Sequence, residues 1–261
     1  HNRGARIGVR WSQAPAYRPG SSSFIRAVHE TDAVISTSEC TLPQFSEAYH
    51  YEGPIHVVPL HNLPVSSETV PLPDGPPWKI GFMGRLDVEA KNLDRLLEAF
   101  ALLCQERNDV ELHFHGSGDI GQVESLASRF GVQRRVTLHG KYDNRNDVLD
   151  IARHCHLFVH PSRYEGGPCL SLLELVQAGR FVIASSVGGI PDLYEGYPEA
   201  GALINPESVH SILRGMKVSL HQLQHGKIQP EIIRQSYKGN FDMESAHSAW
   251  SKIFLEKKGD N

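Results

Sequence analysis

The sequence predicts an α/β fold whose centre is a Rossmann-like, doubly wound parallel sheet. From Trp78 onward, short runs rich in β-branched and aromatic residues alternate with stretches whose apolar residues recur at helical spacing. Such strand–helix–strand units form right-handed crossovers, which place consecutive strands parallel in one sheet. Glycine-rich turns follow several of the runs, at the edge of the sheet where ligands bind in this architecture.

Six strands and five helices are predicted in this main part of the chain. The predicted strands cover residues 79–84, 110–116, 135–140, 157–162, 181–186 and 201–205. The predicted helices cover residues 92–107, 121–131, 146–155, 168–179 and 208–223. The first helix is the clearest, because four leucines and Phe100 recur on one face. Two more helices are predicted at 230–239 and 243–258.

Residues 1–58 are predicted to be the end of a second, incomplete α/β domain. Strands at 5–11 and 33–38 flank a helix near residues 22–30. Two strands cannot bury a core of their own, so the beginning of this domain is expected to lie before the first residue of the chain.

A linker and a C-terminal helix complete the predicted organisation. The predicted boundaries are a linker over residues 59–77, a main domain over 78–240 and a C-terminal helix over 241–261. The linker is rich in Pro and Ser and has no periodicity. In the C-terminal helix, Trp250, Ile253 and Phe254 form an apolar stripe, which we expect to pack back on residues 1–58.

The composition disfavours several functional classes. The chain has 26 Lys and Arg against 30 Asp and Glu, and this net charge of −4 argues against nucleic-acid binding, because no basic excess neutralises phosphates. No apolar run approaches the roughly 20 residues that span a bilayer. The four cysteines show no C-x-x-C spacing, which fits reduced thiols and a cytoplasmic location.

No metal site is predicted. The fifteen histidines include no H-E-x-x-H motif, and no Asp-x-Asp motif is present. His113 and His115 alternate on a predicted strand, and we interpret them as packed or half-exposed side chains rather than metal ligands.

Three predicted turns lie where the strands lead into helices. In the first, Gly84 and Arg85 end a strand and Lys91 precedes a helix, a combination that suits an anion. The alternative is two solvated loop cations. In the second, Gly116 belongs to a glycine-rich turn that suits close approach of a ligand, although many ordinary turns look the same. The third is the pair of glycines at 188–189.

The segment 163–179 carries the most specific signal. Gly166 and Gly167 leave backbone amides open to a ligand, and Pro168 suits a first helical turn. The helix that follows is apolar around most of its circumference, with Glu174 on its one polar stripe. A buried carboxylate needs a hydrogen-bonding partner, and a pair of sugar hydroxyls is a good candidate. The alternative is that this stripe faces solvent.

Several segments together resemble a known enzyme family. They are "GRLDVEAKNLDRLLEAF", "VTLHG", "FVHPSRYEGG", "LLELVQAGRFVIAS" and "VGGIPDLYEG". Their order and approximate spacing resemble the nucleotide-sugar-binding domain of group-1 retaining glycosyltransferases, which have the two-Rossmann-domain (GT-B) fold. The upstream "DAVISTSE" resembles the end of that family's N-terminal, acceptor-binding domain. The resemblance implies that residues 78–240 bind the donor and that residues 1–58 lie on the acceptor side.

The resemblance also implies a role for each candidate residue. Arg85 and Lys91 would bind the diphosphate, and together with Glu165 they form the predicted catalytic set. Glu165 and the amides of Gly166 and Gly167 would contact the donor sugar, and Glu174 would bind the ribose hydroxyls. The remaining predicted donor-binding positions are Gly84, Gly116, Pro168, Cys169 and Leu170.

One feature departs from the family pattern. The family signature is Glu-x7-Glu, whereas eight residues separate Glu165 from Glu174. The extra residue is expected in the Gly166–Cys169 turn, which keeps Glu174 in register with its helix. Glu165 and Glu174 are not expected to act as a facing acid–base pair, because positions nine apart on a helix point to nearly opposite sides.

The predicted function is transfer of a sugar, with retention, from a nucleotide diphosphate sugar to an acceptor that the sequence does not identify. No cofactor and no metal are expected, and association with the inner face of a membrane through a preceding segment is left open. The alternative is a nucleotide-sugar-binding module without transferase activity. A nicotinamide-dependent oxidoreductase is disfavoured, because no G-x-G-x-x-G follows the first strand of the main domain.

Overall fold

A computed structural model describes residues 22–62, 64–65, 69–143, 145–195, 197–238 and 240–256. Within these residues the chain forms eight strands and ten α-helices. Strands β1 to β8 are Val34–Ser36, Ile55–Val57, Trp78–Met83, Val110–His115, Val136–Leu138, Leu157–His160, Phe181–Ser185 and Gly201–Ile204. Helices α1 to α10 are Ser22–His29, Leu42–Tyr49, Leu93–Glu106, Ile120–Arg129, Arg145–His154, Leu170–Gln177, Ile190–Tyr194, Val209–Gln224, Pro230–Tyr237 and Met243–Glu256.

Six strands form one parallel sheet in the order β5–β4–β3–β6–β7–β8. The strand order reverses between β3 and β6, where Ile80 pairs with Leu157. Helix α3 contacts α4 and α8, and helix α6 contacts α5 and α9, so the sheet is covered by two sets of helices. The predicted α/β class with a parallel, doubly wound sheet is confirmed. In such a sheet, the reversal point opens a crevice at the carboxyl ends of the strands.

The main core fills the space between the sheet and its helices. The strands contribute fully buried side chains such as Ile80 and Phe114, and α3 contributes the predicted apolar face, including Phe100. Strands covered on both faces must be apolar nearly throughout, which explains why β6 and β7 are buried at every position.

A smaller unit precedes the main sheet. Strands β1 and β2 pair in parallel, with Val34 opposite Ile55. A separate small core joins Val28, Val34, Phe45, Tyr49 and Tyr51. The predicted strand at 33–38 and the helix near 22–30 are present as β1 and α1, whereas the predicted strand at 5–11 lies outside the described residues. The sequence did not predict strand β2 and helix α2, because each is short and its apolar pattern is weak.

The segment that joins the two units is anchored to the main one. The Arg180 guanidinium is fully buried and donates to the carbonyl oxygens of Val70, Pro71 and Ala152 at 2.8, 2.5 and 2.7 Å. The described residues between 59 and 77 form neither helix nor strand. Hydrogen bonds from a charged donor to carbonyls on two chain segments therefore hold this irregular stretch in place.

The C-terminal helix and the smaller unit line a common cavity. A cavity of about 590 Å³ is lined by His56 and Val57 of β2 and by residues of α10, including Ile253. The rings of Trp250 and Phe254 stack with their centroids 5.9 Å apart. The described helices include none that is both long enough and apolar enough to cross a lipid bilayer.

The bounds of the main elements agree with the predictions to within a few residues, with one informative difference. Helix α6 begins at Leu170, and Cys169 occupies the N-cap position in an extended conformation. The prediction that Pro168 lies in the first helical turn is therefore wrong. Pro168 lies two residues before the helix begins. The turn before α6 therefore extends as far as Cys169.

Candidate active site

The candidate site lies at the carboxyl ends of β3 and β6, on either side of the point where the strand order reverses. Gly84 follows β3, and the loop 161–169 follows β6. A Cβ added to Gly116, after β4, would lie 1.8 Å from the carbonyl oxygen of Gly84. The two predicted glycines are thus in contact, and any side chain at Gly116 would displace the neighbouring strand end.

Glu165 is the centre of a buried polar cluster. Its carboxylate forms an ion pair with the Lys91 ammonium, and its Oε1 also accepts from Nε2 of His160 at 3.1 Å. Both members of the ion pair are largely buried, with 12% of the Glu165 side chain and 14% of the Lys91 side chain exposed. Burial alone would raise the pKa of Glu165, but the hydrogen bond and charge of His160, together with Lys91, lower it to about 2.

His160 links this carboxylate to a thiol. Its Nε2 lies 3.1 Å from Ser162 Oγ and 3.2 Å from Cys169 Sγ. Burial acts to lower the pKa of His160, yet the charge of Cys169 and the hydrogen bonds to Cys169 and Glu165 raise it to about 9. Burial acts to raise the pKa of Cys169, whereas the neighbouring imidazolium lowers it overall. The cluster therefore combines an ammonium and a carboxylate with an imidazole whose pKa is raised and a thiol whose pKa is lowered.

Arg163 positions the loop that carries Lys91. Its backbone amide donates to the Ala90 carbonyl at 3.0 Å, and its guanidinium donates to the Glu89 carbonyl at 2.5 Å and to Asp94 at 3.1 Å. These bonds join the loop after β3 to the loop after β6. They hold Lys91 beside Glu165 although 74 positions separate the two residues.

The two predicted cations occupy different environments. Lys91 is buried against Glu165, whereas 70% of the Arg85 side chain is exposed and its guanidinium lies 3.0 Å from the Asp87 carboxylate. Helix α3 begins at Leu93, after Asn92 in the left-handed conformation. Exposed ion pairs contribute little to stability, so the Arg85 guanidinium can leave Asp87 and turn toward an anion at a small cost in free energy.

Helix α6 is buried nearly all round, as its sequence predicts. Leu172, Leu173, Leu175, Val176 and Gln177 are buried, whereas Leu170 is 50% exposed. Glu174 is half-buried, and burial raises its pKa. Among the described residues its carboxylate has no hydrogen-bond partner. A partly desolvated acceptor of this kind is suited to hydroxyl groups of a ligand.

The smaller unit closes over the loop after β6. A Cβ added to Gly167 would lie 2.8 Å from Thr37 Oγ1, so a side chain at this position would force Thr37 to shift. The backbone amides of Glu39 and Cys40 donate to the Asp192 carboxylate at 2.9 and 3.3 Å. Residues 37–40 therefore pack against the loop after β6 and against helix α7, beside the candidate site.

The loop after β7 packs against the backbone of Glu165. Gly188 has a φ of +55°, and a Cβ there would lie 1.7 Å from the Glu165 carbonyl oxygen. The predicted 188–189 turn is thus in contact with the 163–179 segment. Gly166, Gly167 and Pro168 lie in the loop between Glu165 and α6, and Pro168 and Gly167 are buried.

Sequence reasoning missed His160, Thr37 and Asp192. His160 is the last residue of β6, and its position five residues before Glu165 on a strand that ends at the site was an available signal. Thr37 and Asp192 reach the site only through contacts between distant segments, such as the bond that joins positions 39 and 192, and no local pattern reveals these.

The same cluster contains three atoms that could ligate a metal. His160, Glu165 and Cys169 bring one potential ligand atom each within 4.8 Å of the other two. However, the Lys91 ammonium already pairs with the Glu165 carboxylate, and a second cation beside it would be repelled. The arrangement therefore favours an anionic ligand over a metal ion.

Comparison with known sequences points to one family. A sequence model described as "Glycosyl transferases group 1" matches residues 77–221, more than half of the chain. A human phosphatidylinositol N-acetylglucosaminyltransferase chain is 27% identical over 169 residues, which is 64% of this chain and 34% of that protein. An uncharacterized glycosyltransferase of Bacillus subtilis, YqgM, is 33% identical over 106 residues, which is 40% of this chain and 29% of that protein. The chain thus spans about a third of the length of these curated relatives.

Solved structures show the same architecture. Anabaena HepE in complex with UDP and glucose has a TM-score of 0.75 at 17% identity, and the match covers 99% of this chain and 72% of that one. The lipopolysaccharide outer core galactosyltransferase WaaB has a TM-score of 0.72 at 22% identity, covering 87% of this chain and 62% of that one. These similarities extend over both units of the chain and identify its fold as that of GT-B glycosyltransferases. Together with the match over residues 77–221, they show that the chain belongs to the group-1 glycosyl transferases.

Proposed function

We propose that this chain provides the donor-binding part of a retaining glycosyltransferase that uses a nucleotide diphosphate sugar. The observation that carries the proposal is the buried Lys91–Glu165 ion pair at the point where the strand order reverses. A buried ammonium at the carboxyl ends of the strands is suited to an anionic ligand, and its carboxylate partner keeps it in place until that ligand arrives.

The cations would stabilise the leaving group. Breaking the bond between sugar and diphosphate builds negative charge on the diphosphate, and a fixed positive charge lowers the energy of that state. Lys91 is already fixed, and exposed Arg85 can turn toward the second phosphate. Because two protein cations supply this charge, we propose that transfer requires neither a bound metal nor a cofactor.

The acids would bind two parts of the same donor. Glu165 lies in the loop with Gly166 and Gly167, and we propose that it contacts the sugar together with their amides. Glu174 projects from α6, and its half-buried carboxylate would accept from the two ribose hydroxyls. The positions Gly84, Gly116, Pro168, Cys169 and Leu170 would line the donor.

Relatives support the nucleotide-sugar class. The solved structures include HepE in complex with UDP-glucose, and the relatives include an N-acetylglucosaminyltransferase and a mannosyltransferase. UDP sugars are therefore the first donors to test. We propose a cytoplasmic location, and an acceptor bound mainly by the smaller unit and the part of the relatives that this chain does not span.

A second candidate function is donor binding without transfer. The eight residues between Glu165 and Glu174, one more than the family signature has, favour this alternative. The extra residue lengthens the turn before α6, where the sugar would sit. A donor that binds but is not consumed, with any of the acceptors tested, would support binding alone.

Binding is tested first with a thermal-shift screen of UDP, GDP and ADP sugars, because ligand binding raises the melting temperature by mass action. The critical variant is Lys91→Met, with Lys217→Met as its matched control, since Lys217 is exposed and paired with Glu106. We expect Lys91→Met to lose most of the shift produced by the nucleotide diphosphate, and Lys217→Met to keep it. Equal shifts in both variants would contradict a diphosphate role for Lys91.

Arg85 is tested by a similar substitution, for which we expect a smaller loss of binding affinity. Arg85→Ala should weaken binding of the nucleotide diphosphate more than binding of the matching nucleoside, because only the former carries the phosphates. Calorimetry with both ligands separates the two effects. Equal losses of affinity for the nucleotide and the nucleoside would show that Arg85 does not bind the diphosphate.

The ribose role of Glu174 is tested by changing protein and ligand together. Glu174→Gln should weaken binding of the ribonucleotide diphosphate by about 1–3 kcal/mol, the range for a hydrogen bond to a charged group. The loss should nearly vanish with the 2′,3′-dideoxy analogue, which has no hydroxyls to donate. Glu124→Gln, an exposed change on α4, is the control. A coupling of zero between protein and ligand change would make Glu174 an ordinary surface carboxylate.

A further inference from the structure

A second polar cluster lies on the other half of the sheet, away from Glu165. Strand β4, the residue after β5 and the end of α5 bring together the imidazoles of His113, His139 and His154. One nitrogen of each lies within 4.8 Å of the other two. His113 is buried, His154 is half-buried and His139 is exposed, so the cluster is open to solvent on one side.

Two of the three distances between these nitrogens match those imposed by a shared metal ion, and the third is no longer than 4.8 Å. Nδ1 of His113 lies 2.9 Å from Nε2 of His139 and 3.3 Å from Nε2 of His154. A metal ion about 2.0–2.1 Å from each imidazole nitrogen places pairs of these nitrogens about 2.9–3.4 Å apart, depending on whether the angle at the metal is 90° or tetrahedral. Small side-chain movements would therefore suffice to complete the site.

The tautomer of His113 leaves its inner nitrogen free to act as a ligand. Its Nε2 lies 3.1 Å from the Glu111 carboxylate, which only accepts hydrogen bonds, so Nε2 carries the proton. Nδ1 then presents a single lone pair to two other histidine nitrogens. A carboxylate behind a ligand histidine is the arrangement that orients imidazoles in metal sites.

The cluster also has space for a further ligand. Next to the cluster, a cavity of about 380 Å³ is lined by His139, His154, Tyr142 and Asp150, and it leaves room for a water or another small ligand.

We infer that His113, His139 and His154 form a binding site for a divalent first-row transition metal such as Zn²⁺, with an open coordination position toward this cavity. Three imidazoles favour zinc, cobalt, nickel or copper over magnesium or calcium, which prefer oxygen ligands. The site is separate from the charge-stabilising role proposed for Lys91 and Arg85. It would tie together β4, β5 and α5.

The test uses the full chain without a histidine tag, prepared with chelator and then dialysed. Titration with Zn²⁺ by calorimetry should give one tight equivalent, and Co²⁺ should produce the visible absorption bands of a low-coordinate nitrogen site. His113→Gln should weaken metal binding at least 100-fold, and Glu111→Gln should weaken it 10- to 100-fold, as is typical for a carboxylate behind a ligand. Circular dichroism of each variant checks that the fold is retained.

Two controls identify the site by location. His221 and His225 stack on the surface of α8 with ring centroids 4.1 Å apart and could bind a metal weakly, so the double change to Gln tests them. Cys169→Ser tests the group around Glu165. We expect both controls to keep the tight equivalent. Loss of that equivalent in either control with retention in His113→Gln would overturn the inference, as would no tight binding in the unchanged chain.

Discussion

The Glu165 cluster and the histidine cluster lie on the same sheet, and both contain buried histidines, yet their electrostatics are opposite. His160 is 4% exposed, as is His113. The pKa of His160 is raised to about 9, whereas that of His113 is lowered to about 4. Burial favours the neutral form at both sites, so burial does not explain the difference.

The difference comes from the neighbours. His160 contacts the Glu165 carboxylate and the Cys169 thiol, two groups that become negative, whereas His113 is surrounded mainly by other imidazoles, with half-exposed Glu111 as its only acidic contact among the described residues. The charged cluster suits binding of an anionic donor beside Lys91. The cluster of three converging imidazoles suits binding of a metal ion. The sign of the neighbouring charge therefore decides which chemistry a buried histidine can support.

The largest effect is expected from removing the central acid of the charged cluster. Glu165→Gln leaves the Lys91 ammonium largely buried without its counter-ion, which should cost about 3 kcal/mol of unfolding free energy. The corresponding change in the metal-free histidine cluster, Glu111→Gln, should cost less than about 1 kcal/mol, because that carboxylate is 39% exposed. Urea denaturation measures both. Similar losses in the two variants would remove the contrast between the clusters.

A smaller effect, of defined sign, is expected from pH. Because the pKa of His160 in the folded chain is above its unfolded value near 6.5, its charge stabilises the fold fully below about pH 6.5. That contribution, on the order of 1–3 kcal/mol, is lost as pH rises through about 9. The melting temperatures of the unchanged chain and His160→Gln should therefore differ most near pH 6 and converge toward pH 9. A difference that grows between pH 6 and 9 would show that His160 is neutral.

The thiols should differ in reactivity by about tenfold or more. The imidazolium of His160 lowers the pKa of Cys169, whereas burial raises that of Cys155 to about 12. At pH 7, iodoacetamide should label Cys169 before Cys40, which is more exposed but whose pKa is raised to about 12 by partial burial and by Asp192. Mass spectrometry of timed digests gives the order. His160→Gln should remove the advantage of Cys169, and labelling of Cys40 first in the unchanged chain would contradict a lowered pKa of Cys169.

The smallest effect is expected from chelation. If Lys91 and Arg85 supply the positive charge for transfer, EDTA should leave turnover of a nucleotide sugar within about twofold of its starting value, even when it strips metal from the histidine cluster. Turnover is measured on the complete enzyme with the identified donor. Loss of activity that Mg²⁺ or Mn²⁺ restores would place a metal in the transfer step.

The sequence is most informative where a local pattern determines the structure. The apolar face of α3 and the continuous apolar runs of β6 and β7 predict the sheet and its helices, because burial on both faces requires them. Lys91, Glu165 and Glu174 are identifiable as candidates from the sequence alone. Their loops and helix lie at the carboxyl ends of the strands, which is a property of the fold class.

The partners of these residues are not predictable in the same way. Lys91 pairs with Glu165 because the bonds of Arg163 join the loop after β3 to the loop after β6. From the sequence, Lys91 is expected to bind a ligand beside Arg85. His113 looks like an ordinary packed histidine in the sequence, because His139 and His154 meet it only after β5 and α5 have folded over β4. Neither arrangement produces a repeating pattern in the sequence, because each depends on contacts between distant segments.

The anchoring of the linker restricts where the two units can rotate relative to one another. Arg180 fixes Val70 and Pro71, the Gln177 side chain accepts from the amide of Val65 at 2.7 Å, and Tyr237 Oη donates to Asn62 Oδ1 at 2.5 Å. From Asn62 onward, these points of the linker therefore move with the main sheet. Any rotation between the two units would therefore require the linker to bend at the few residues between β2 and Asn62. Such a rotation would separate residues 37–40 from Gly167 and Asp192, whereas Lys91 and Glu165 both belong to the main unit.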